Sequence, residues 1–291
     1  MINLRGLNMK KKLLIFMALF LLALGLSGCS DNQKSVAQEA NTTDTWNHIK
    51  KRGRVIIGLD DTFVPMGFRE KNGKLVGYDI DLAKAVFKQY GIKADFQPID
   101  WNMKETELRN QTIDLIWNGY TITPARKKQL AFSRPYMANQ QVLVTKTNEN
   151  ISSFKDMQNK ILGVQTSSSG ASLLDEHPTK LKNYIKHKTP VLYDSFNNAL
   201  MDLDDKRIQG LLIDSVYAGY YISKEKDPAS YRITRGGFTG EDFAVGMRKG
   251  DKTLKRKIDN GLQHLANTGE LQKINKKWFG NSDNSLIQPE N

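Results

Sequence analysis

Residues Ile113 to Tyr136 read IDLIWNGYTITPARKKQLAFSRPY, and the rest of the chain is organised around them. Ile113 to Trp117 is a short apolar run of strand type, which Asn118-Gly119 breaks with residues that tolerate turn geometry. The backbone amides at that break are expected to lack sheet partners. Thr123 followed by Pro124 marks a helix start, the hydroxyl capping free N–H groups and the fixed φ of proline suiting the first helical position. Arg126 then falls in the first turn. A cation is unfavourable at the positive end of a helix dipole, so its placement points to an anion nearby. A guanidinium grips both oxygens of a carboxylate in one plane. The competing reading is an arginine paired with a local acid such as Asp114.

Upstream, Arg54 to Leu59 reads as a strand, and the loop Asp60-Asp61-Thr62-Phe63-Val64-Pro65 after it carries two acids and an aromatic. Ile80, Ala83, Val86, Phe87 and Tyr90 recur at helical spacing, with Gly91 as the stop. Ala94 to Ile99 is a second strand, followed by Asp100-Trp101, and Lys104 to Asn110 is a surface helix. Loops at the carboxyl ends of strands in α/β sheets are where ligands bind. Three such loops, at Asp60 to Phe63, at Trp101 and at Asn118 to Thr121, are expected to converge.

Downstream the alternation resumes. Gln141 to Thr145 and Ile161 to Val164 read as strands, and Gln165-Thr166-Ser167-Ser168-Ser169-Gly170 leads into a helix over Ala171 to Glu176. A Gly/Ser-rich loop at a helix start makes either an anion nest or a plain cap; it lacks the lysine of a phosphate loop and the spacing of a dinucleotide fingerprint. Val191 to Tyr193, Phe196 to Asp202, Leu211 to Ile213 and Ser215 to Ile222 continue the pattern, and Asp214 stands where the third of these ends. Phe243 to Met247 is a final strand, followed by helices over Leu254 to Ala266 and Leu271 to Phe279. Two successive βα patterns with a strand and helices left over suit two similar lobes, the chain returning to the first.

The 291 residues and 39% hydrophobic content suffice for one or two packed domains. Lys10 to Lys12 precede an apolar run, Leu13 to Leu26, that is short for a membrane span but suits a signal-peptide core. It ends in Leu26-Ser27-Gly28-Cys29, which resembles the lipobox of bacterial lipoproteins, where the cysteine becomes residue one and carries palmitate-type acyl chains. Cys29 is the only cysteine, so it makes no intrachain disulfide. Arg5 and Lys10 to Lys12 supply four of the +12 formal charges, leaving +8 after Cys29. The basic residues are dispersed and no aromatic-interleaved nucleic-acid motif occurs. Residues 30 to 45 are polar and read as a flexible tether.

GLDDTFVPMGF, LVGYDIDLAKAV, the opening stretch, ILGVQTSSSG, GLLIDS and GELQKINKKWFG together resemble the polar amino-acid solute-binding proteins of ABC importers, of the glutamine, arginine, histidine and cystine type (bacterial extracellular solute-binding proteins, family 3). The resemblance runs from about Val55 to Phe279. It implies an α/β, two-lobed periplasmic-binding-protein-like fold (type II), each lobe a mostly parallel sheet flanked by helices, with two hinge crossings near Asn139 to Val142 and Phe238 to Asp242. The expected organisation is a signal peptide over 1–28, a tether over 29–48, a first lobe over 49–140 plus 241–280, a second over 141–240, and a polar tail over 281–291. By the same resemblance Arg126 binds a ligand α-carboxylate, with Gly119, Thr121, Ser168 and Ser169. Asp214 meets the α-ammonium, helped by the Gly119 carbonyl. Asp60 and Phe63 lie in the side-chain pocket, and Trp101 closes over the ligand. Asn118 stands where many relatives carry Ala or Ser, and Gln165 where glutamine-type proteins carry Lys. The implied partners are a polar amino acid, an ABC permease with its ATPase, and the outer membrane face through lipid on Cys29. A monomer is expected, with no nucleic acid, cofactor or metal.

The residues support this reading independently. A zwitterion needs a cation at one end, an acid at the other, and aromatic walls that exclude water. Two acids at Asp60-Asp61 lean the side-chain choice toward a cationic or amide group, with cystine as another candidate. The alternatives are an enzyme of related fold, such as a dehydratase of cyclic dienyl acids, and a ligand-sensing ectodomain. Against the enzyme, His48, His177, His187 and His264 fall away from the site motifs.

Overall fold

The computed structural model describes residues 35 to 290. The signal-peptide reading and the lipid site at Cys29 lie outside those residues. The chain lays down β1 (Arg54–Leu59), a small antiparallel sheet of β2 (Thr62–Phe63), β3 (Gly67–Arg69) and β4 (Leu75–Val76), then β5 (Lys93–Pro98), β6 (Leu115–Ile116) and β7 (Leu130–Phe132). It continues with β8 (Met137–Lys146), β9 (Leu162–Gln165), β10 (Val191–Tyr193), β11 (Gly210–Asp214) and β12 (Tyr231–Thr234), and returns through β13 (Gly240–Phe243) to β14 (Gly246–Arg248).

The first lobe is built on the sheet β5-β1-β6-β14-β7 and the second on β10-β9-β11-β8-β12. In each, three parallel strands carry the βα pattern, and two further strands join antiparallel. β8 and β14 are among these antiparallel additions, and both enter their sheets from the crossing between lobes rather than from a βα unit. Because β14 follows the whole second lobe, the first lobe is discontinuous in sequence. The two crossings run side by side: β13 pairs antiparallel with the start of β8, from Gly240 opposite Gln140 to Phe243 opposite Met137.

The apolar pattern explains the core. Val55, Ile57 and Leu59 of β1 are fully buried. The helix Tyr78–Lys88 buries Ile80, Ala83, Val86 and Phe87, and it packs against the helix Lys252–Asn267, whose Leu254, Ile258, Leu262 and Leu265 are buried in turn. Each of the buried Val, Leu, Ile and Phe side chains contributes about 1.5–3 kcal/mol on full burial.

Three expectations change. The single strand over Phe243 to Met247 is two strands, broken where the chain leaves the crossing ribbon for the first sheet. Between them the Ala244 N–H bonds the Tyr120 carbonyl, and the Val245 carbonyl accepts from Ser133. The described part of the expected tether, residues 35 to 48, is fastened rather than flexible. Val36–Thr42 is a helix, Thr45 donates its N–H and hydroxyl to Asp251 Oδ1 at 2.8 and 2.6 Å, and the Ala40 carbonyl accepts from Gly250. Polarity there serves fastening rather than solvation. The polar tail is fastened too, since Ser285 Oγ and the Leu286 N–H both bond the Tyr136 carbonyl and Ile287 is buried.

Candidate ligand-binding cleft

Arg126 rises from the helix Pro124–Gln129, whose cap is the expected one: Thr123 Oγ1 accepts the Arg126 N–H at 3.1 Å. Its guanidinium lies 4.3 Å over the Tyr120 ring. Nη1 donates to the Thr121 carbonyl at 2.9 Å, and Nη2 reaches the Ser167 carbonyl of the second lobe at 3.3 Å. Asp114 is not its partner, being taken by Arg52 and by Arg248. The local acid is Glu105, 3.5 Å from Nε and itself held by the Tyr120 hydroxyl at 2.7 Å.

The second lobe presents its own strand ends to the same place. β11 ends in Asp214, and β9 ends in Gln165. Ser168 caps the helix Ser169–Glu176, accepting the Ala171 N–H at 3.1 Å. Phe63, Trp101, Gly119, Thr121 and Arg126 from the first lobe and Gln165, Ser168, Ser169 and Asp214 from the second line one cleft. The free space between them is about 10 Å³, room for roughly one water. The lobes are closed on each other, and a ligand requires these side chains to part. A larger groove of about 850 Å³ opens elsewhere, around Tyr220 and Trp278, with Lys224, Arg235, Lys277 and Asp283 in its lining but none of Thr121, Arg126, Gln165 and Asp214. The convergence of groups, not size, selects the cleft.

Asp60 and Asn118 stand behind the lining. Asn118 is buried, and its Oδ1 accepts the Asp60 N–H at 3.1 Å, so it braces the Asp60 loop. Asp60 in turn accepts from Gln165 Nε2 across the lobes at 3.0 Å, and burial raises its pKa. The amide expected to be free at Gly119 is not. It donates to Asp79 Oδ2 at 2.7 Å, an oxygen that also accepts the Tyr136 hydroxyl at 2.8 Å. Burial pushes the Asp79 carboxyl up to about 7. Gly119 is required there: φ is 55°, and a Cβ would meet Phe63 at 2.9 Å.

The sequence reading left out the residues on the crossings that reach the cleft. Asn139 and Gln141, alternate positions of β8 and so on one face, donate to Asp214 Oδ1 at 2.5 and 2.7 Å. The same two amides lie 3.3 and 3.1 Å from Glu241 Oε2, which also accepts from Ser169 Oγ at 3.2 Å. Burial, then the charge of Glu241, pushes the Asp214 carboxyl up to about 7, and burial raises Glu241 as well. The available signal was polar residues at alternate positions entering an otherwise apolar strand. Lys104 was also passed over, as part of a polar helix. It is 1% exposed, and its ammonium donates to the Trp101 carbonyl at 2.9 Å and the Ser167 carbonyl at 3.0 Å, clasping the lobes. Burial holds its pKa down at about 8. Phe63 completes the clasp against Phe196 and Tyr217 of the second lobe.

A model of the bacterial extracellular solute-binding proteins, family 3, matches residues 55–281. The chain belongs to that family. Among relatives, it is 30% identical to the L-cystine-binding protein TcyJ of Escherichia coli K12, over 80% of this chain and 85% of that one, and 30% identical to the arginine-binding extracellular protein ArtP of Bacillus subtilis, over 78% and 86%. A substrate-binding protein of an ABC uptake transporter from Streptococcus pneumoniae, solved with bound histidine, is 48% identical and superposes with a TM-score of 0.82 over 84% of this chain and 98% of its own. These family members are named as binding proteins, not enzymes, which sets aside the dehydratase alternative. The polar amino-acid binding protein from Streptococcus thermophilus is 50% identical over 85% and 94% of the chains, yet its TM-score is 0.56.

Proposed function

We propose that this solute-binding protein captures a polar amino acid by closing its lobes and presents the closed form to an ABC permease and its ATPase. The observation that carries the reading is the pairing of Arg126 from one lobe with Asp214 from the other across one closed cleft. A carboxylate on the first and an ammonium on the second give the ligand contacts that exist together only when the lobes meet, so binding favours closure. Asp214 lines the cleft with Asp60 and Glu241 behind it, none of them in an ion pair among the described residues, against Arg126 in the lining and Lys104 beneath Trp101. That excess of acid favours a cationic side chain beyond the α-ammonium, and relatives named for arginine and histidine are consistent with it. Titration calorimetry with the twenty amino acids and cystine tests the reading. Tight binding of L-arginine or L-histidine supports it, and no heat with any of them defeats it.

The place of action follows from the leader. Acyl chains on Cys29 would hold the protein durably on the outer face of the cell membrane. Cys29→Ala is expected to release it into the medium with ligand affinity unchanged, checked by fractionation and calorimetry; a variant that stays with the membrane rejects the anchor.

A further inference from the structure

A buried carboxylate, Asp214, and a half-buried one, Glu241, stand together at the hinge end of the cleft. Asp214 closes β11, Glu241 sits on the returning crossing β13, and both draw on the Asn139 and Gln141 side-chain amides of the outgoing crossing β8. Neither forms an ion pair among the described residues. The facing guanidinium of Arg126 is directed to Thr121, Ser167 and Glu105. Asp60 lies beside Gln165 and Lys104 beneath Trp101, while Lys127, Glu176, His177 and Asp242 line a neighbouring cavity together with Glu241. Two like charges desolvated side by side cannot both stay ionised cheaply, and such a pair titrates as a unit.

We infer that Glu241 is a second carboxylate of the ammonium-binding end, and that Asp214 and Glu241 together hold a proton which leaves when the ligand's ammonium arrives. This rests on the amino-acid reading of the cleft. An ammonium has three N–H donors and no acceptor, so two carboxylates and a carbonyl satisfy it, and its charge restores both acids to the ionised form. The proton passes to solvent, and no bond other than hydrogen bonds is made or broken. Because Glu241 belongs to a crossing strand, the same contact ties ammonium binding to the segment on which the lobes turn. The Asp214 carboxyl, pushed up to about 7 by burial, fits a proton held near neutrality, and burial shifts Glu241 in the same direction.

The experiment is titration of the full chain with L-arginine, whose side chain keeps its charge throughout, in buffers of different ionisation enthalpy, at pH 6 and pH 8. The wild type should release protons at pH 6 and bind about tenfold or more tightly at pH 8, because a linked proton competes with the ligand. Glu241→Gln keeps the shape and a partner for Ser169. It should release fewer protons and weaken binding about tenfold at pH 8 but less than about threefold at pH 6. Glu241→Asp, which restores the charge, should recover the release, and melting curves confirm that both variants are folded. Binding without proton release in the wild type, or an equal loss at both pH values in Glu241→Gln, overturns the inference while leaving the amino-acid reading intact. No binding of any amino acid removes the reading and the inference with it.

Discussion

Asp79 in the first lobe and Asp214 in the second are both buried, and burial pushes both carboxyls up to about 7. Their surroundings separate them. Asp79 is walled in, its Oδ2 shared by the Gly119 amide and the Tyr136 hydroxyl. Asp214 opens onto a cleft, with Glu241 beside it and the positive charge of Arg126 acting on it from the other lobe. Burial and a shifted pKa therefore do not by themselves mark a binding group. The marks are an opposite charge on a separate body and a gap between the two. Asp79 fastens the turn that carries Gly119, whereas Asp214 forms no ion pair among the described residues.

The largest test falls on the cation that gives Asp214 its meaning. Arg126→Ala would leave a desolvated ligand carboxylate unpaired, costing about 3–5 kcal/mol, or roughly two to four powers of ten in Kd by calorimetry. Arg126→Lys should recover only part, because a point charge cannot make two parallel bonds to one carboxylate. If Arg126→Ala instead lowers the melting temperature and leaves Kd within about threefold, the guanidinium serves Glu105 as a structural ion pair, and the contrast fails on that side.

Asp79→Ala tests the other side. It strands the Gly119 N–H and the Tyr136 hydroxyl in the core, at about 1–3 kcal/mol of stability for each, while affinity per folded molecule stays near wild type. Asp79→Asn keeps an acceptor and should recover most of the loss in a denaturant melt. A large affinity change with unchanged stability would make Asp79 part of the site.

Asp214→Asn is expected to weaken amino-acid binding about ten- to a hundredfold without lowering the melting temperature, since it removes a buried charge. A stability loss matching that of Asp79→Ala would erase the distinction.

The smallest effect is on pH dependence. Both acids have folded pKa values above the unfolded carboxylate value, so the native state holds more protons between about pH 4 and 7. Their stabilisation is full below the unfolded value and is lost as pH rises through the folded one. Melting temperature should therefore fall between pH 5 and pH 7.5, and Asp79→Asn should flatten the fall in scanning calorimetry. An identical slope in that variant assigns it to other groups.

Much of this architecture was legible in the sequence because it is carried by local signals. β1 follows from an apolar run before two acids, and the helix at Pro124 follows from Thr123. The lining of the cleft follows from what stands just past each strand. What escaped is non-local. Nothing near Gly119 reveals that its amide belongs to Asp79, forty positions upstream, and an acid at a helix start is ordinary in sequence. Glu241 and Asn139 are a hundred residues apart, and only the pairing of the two crossings brings them together. The strands β2 to β4, β7 and β12 were missed for a related reason: two to four residues are too few to show a period, and their partners fix them. Lys104 looked like solvent-facing charge because its helix is polar, whereas its stem is buried and its ammonium bridges two carbonyls.

The fastening of residues 36 to 45 and of 285 to 288 has a mechanical meaning. Thr45 is held by Asp251, Ala40 by Gly250, Ser285 by Tyr136, and the Gln288 carbonyl by Gln263. All of these anchors belong to the first lobe or to the segment that leaves it. That lobe is the door frame, and both described ends of the chain are fastened to it. The second lobe is the leaf, connected along the chain through the paired crossings β8 and β13. Its swing drags neither end of the folded chain, so a dye placed near residue 36 and another on Leu192 would report the swing without touching the hinge.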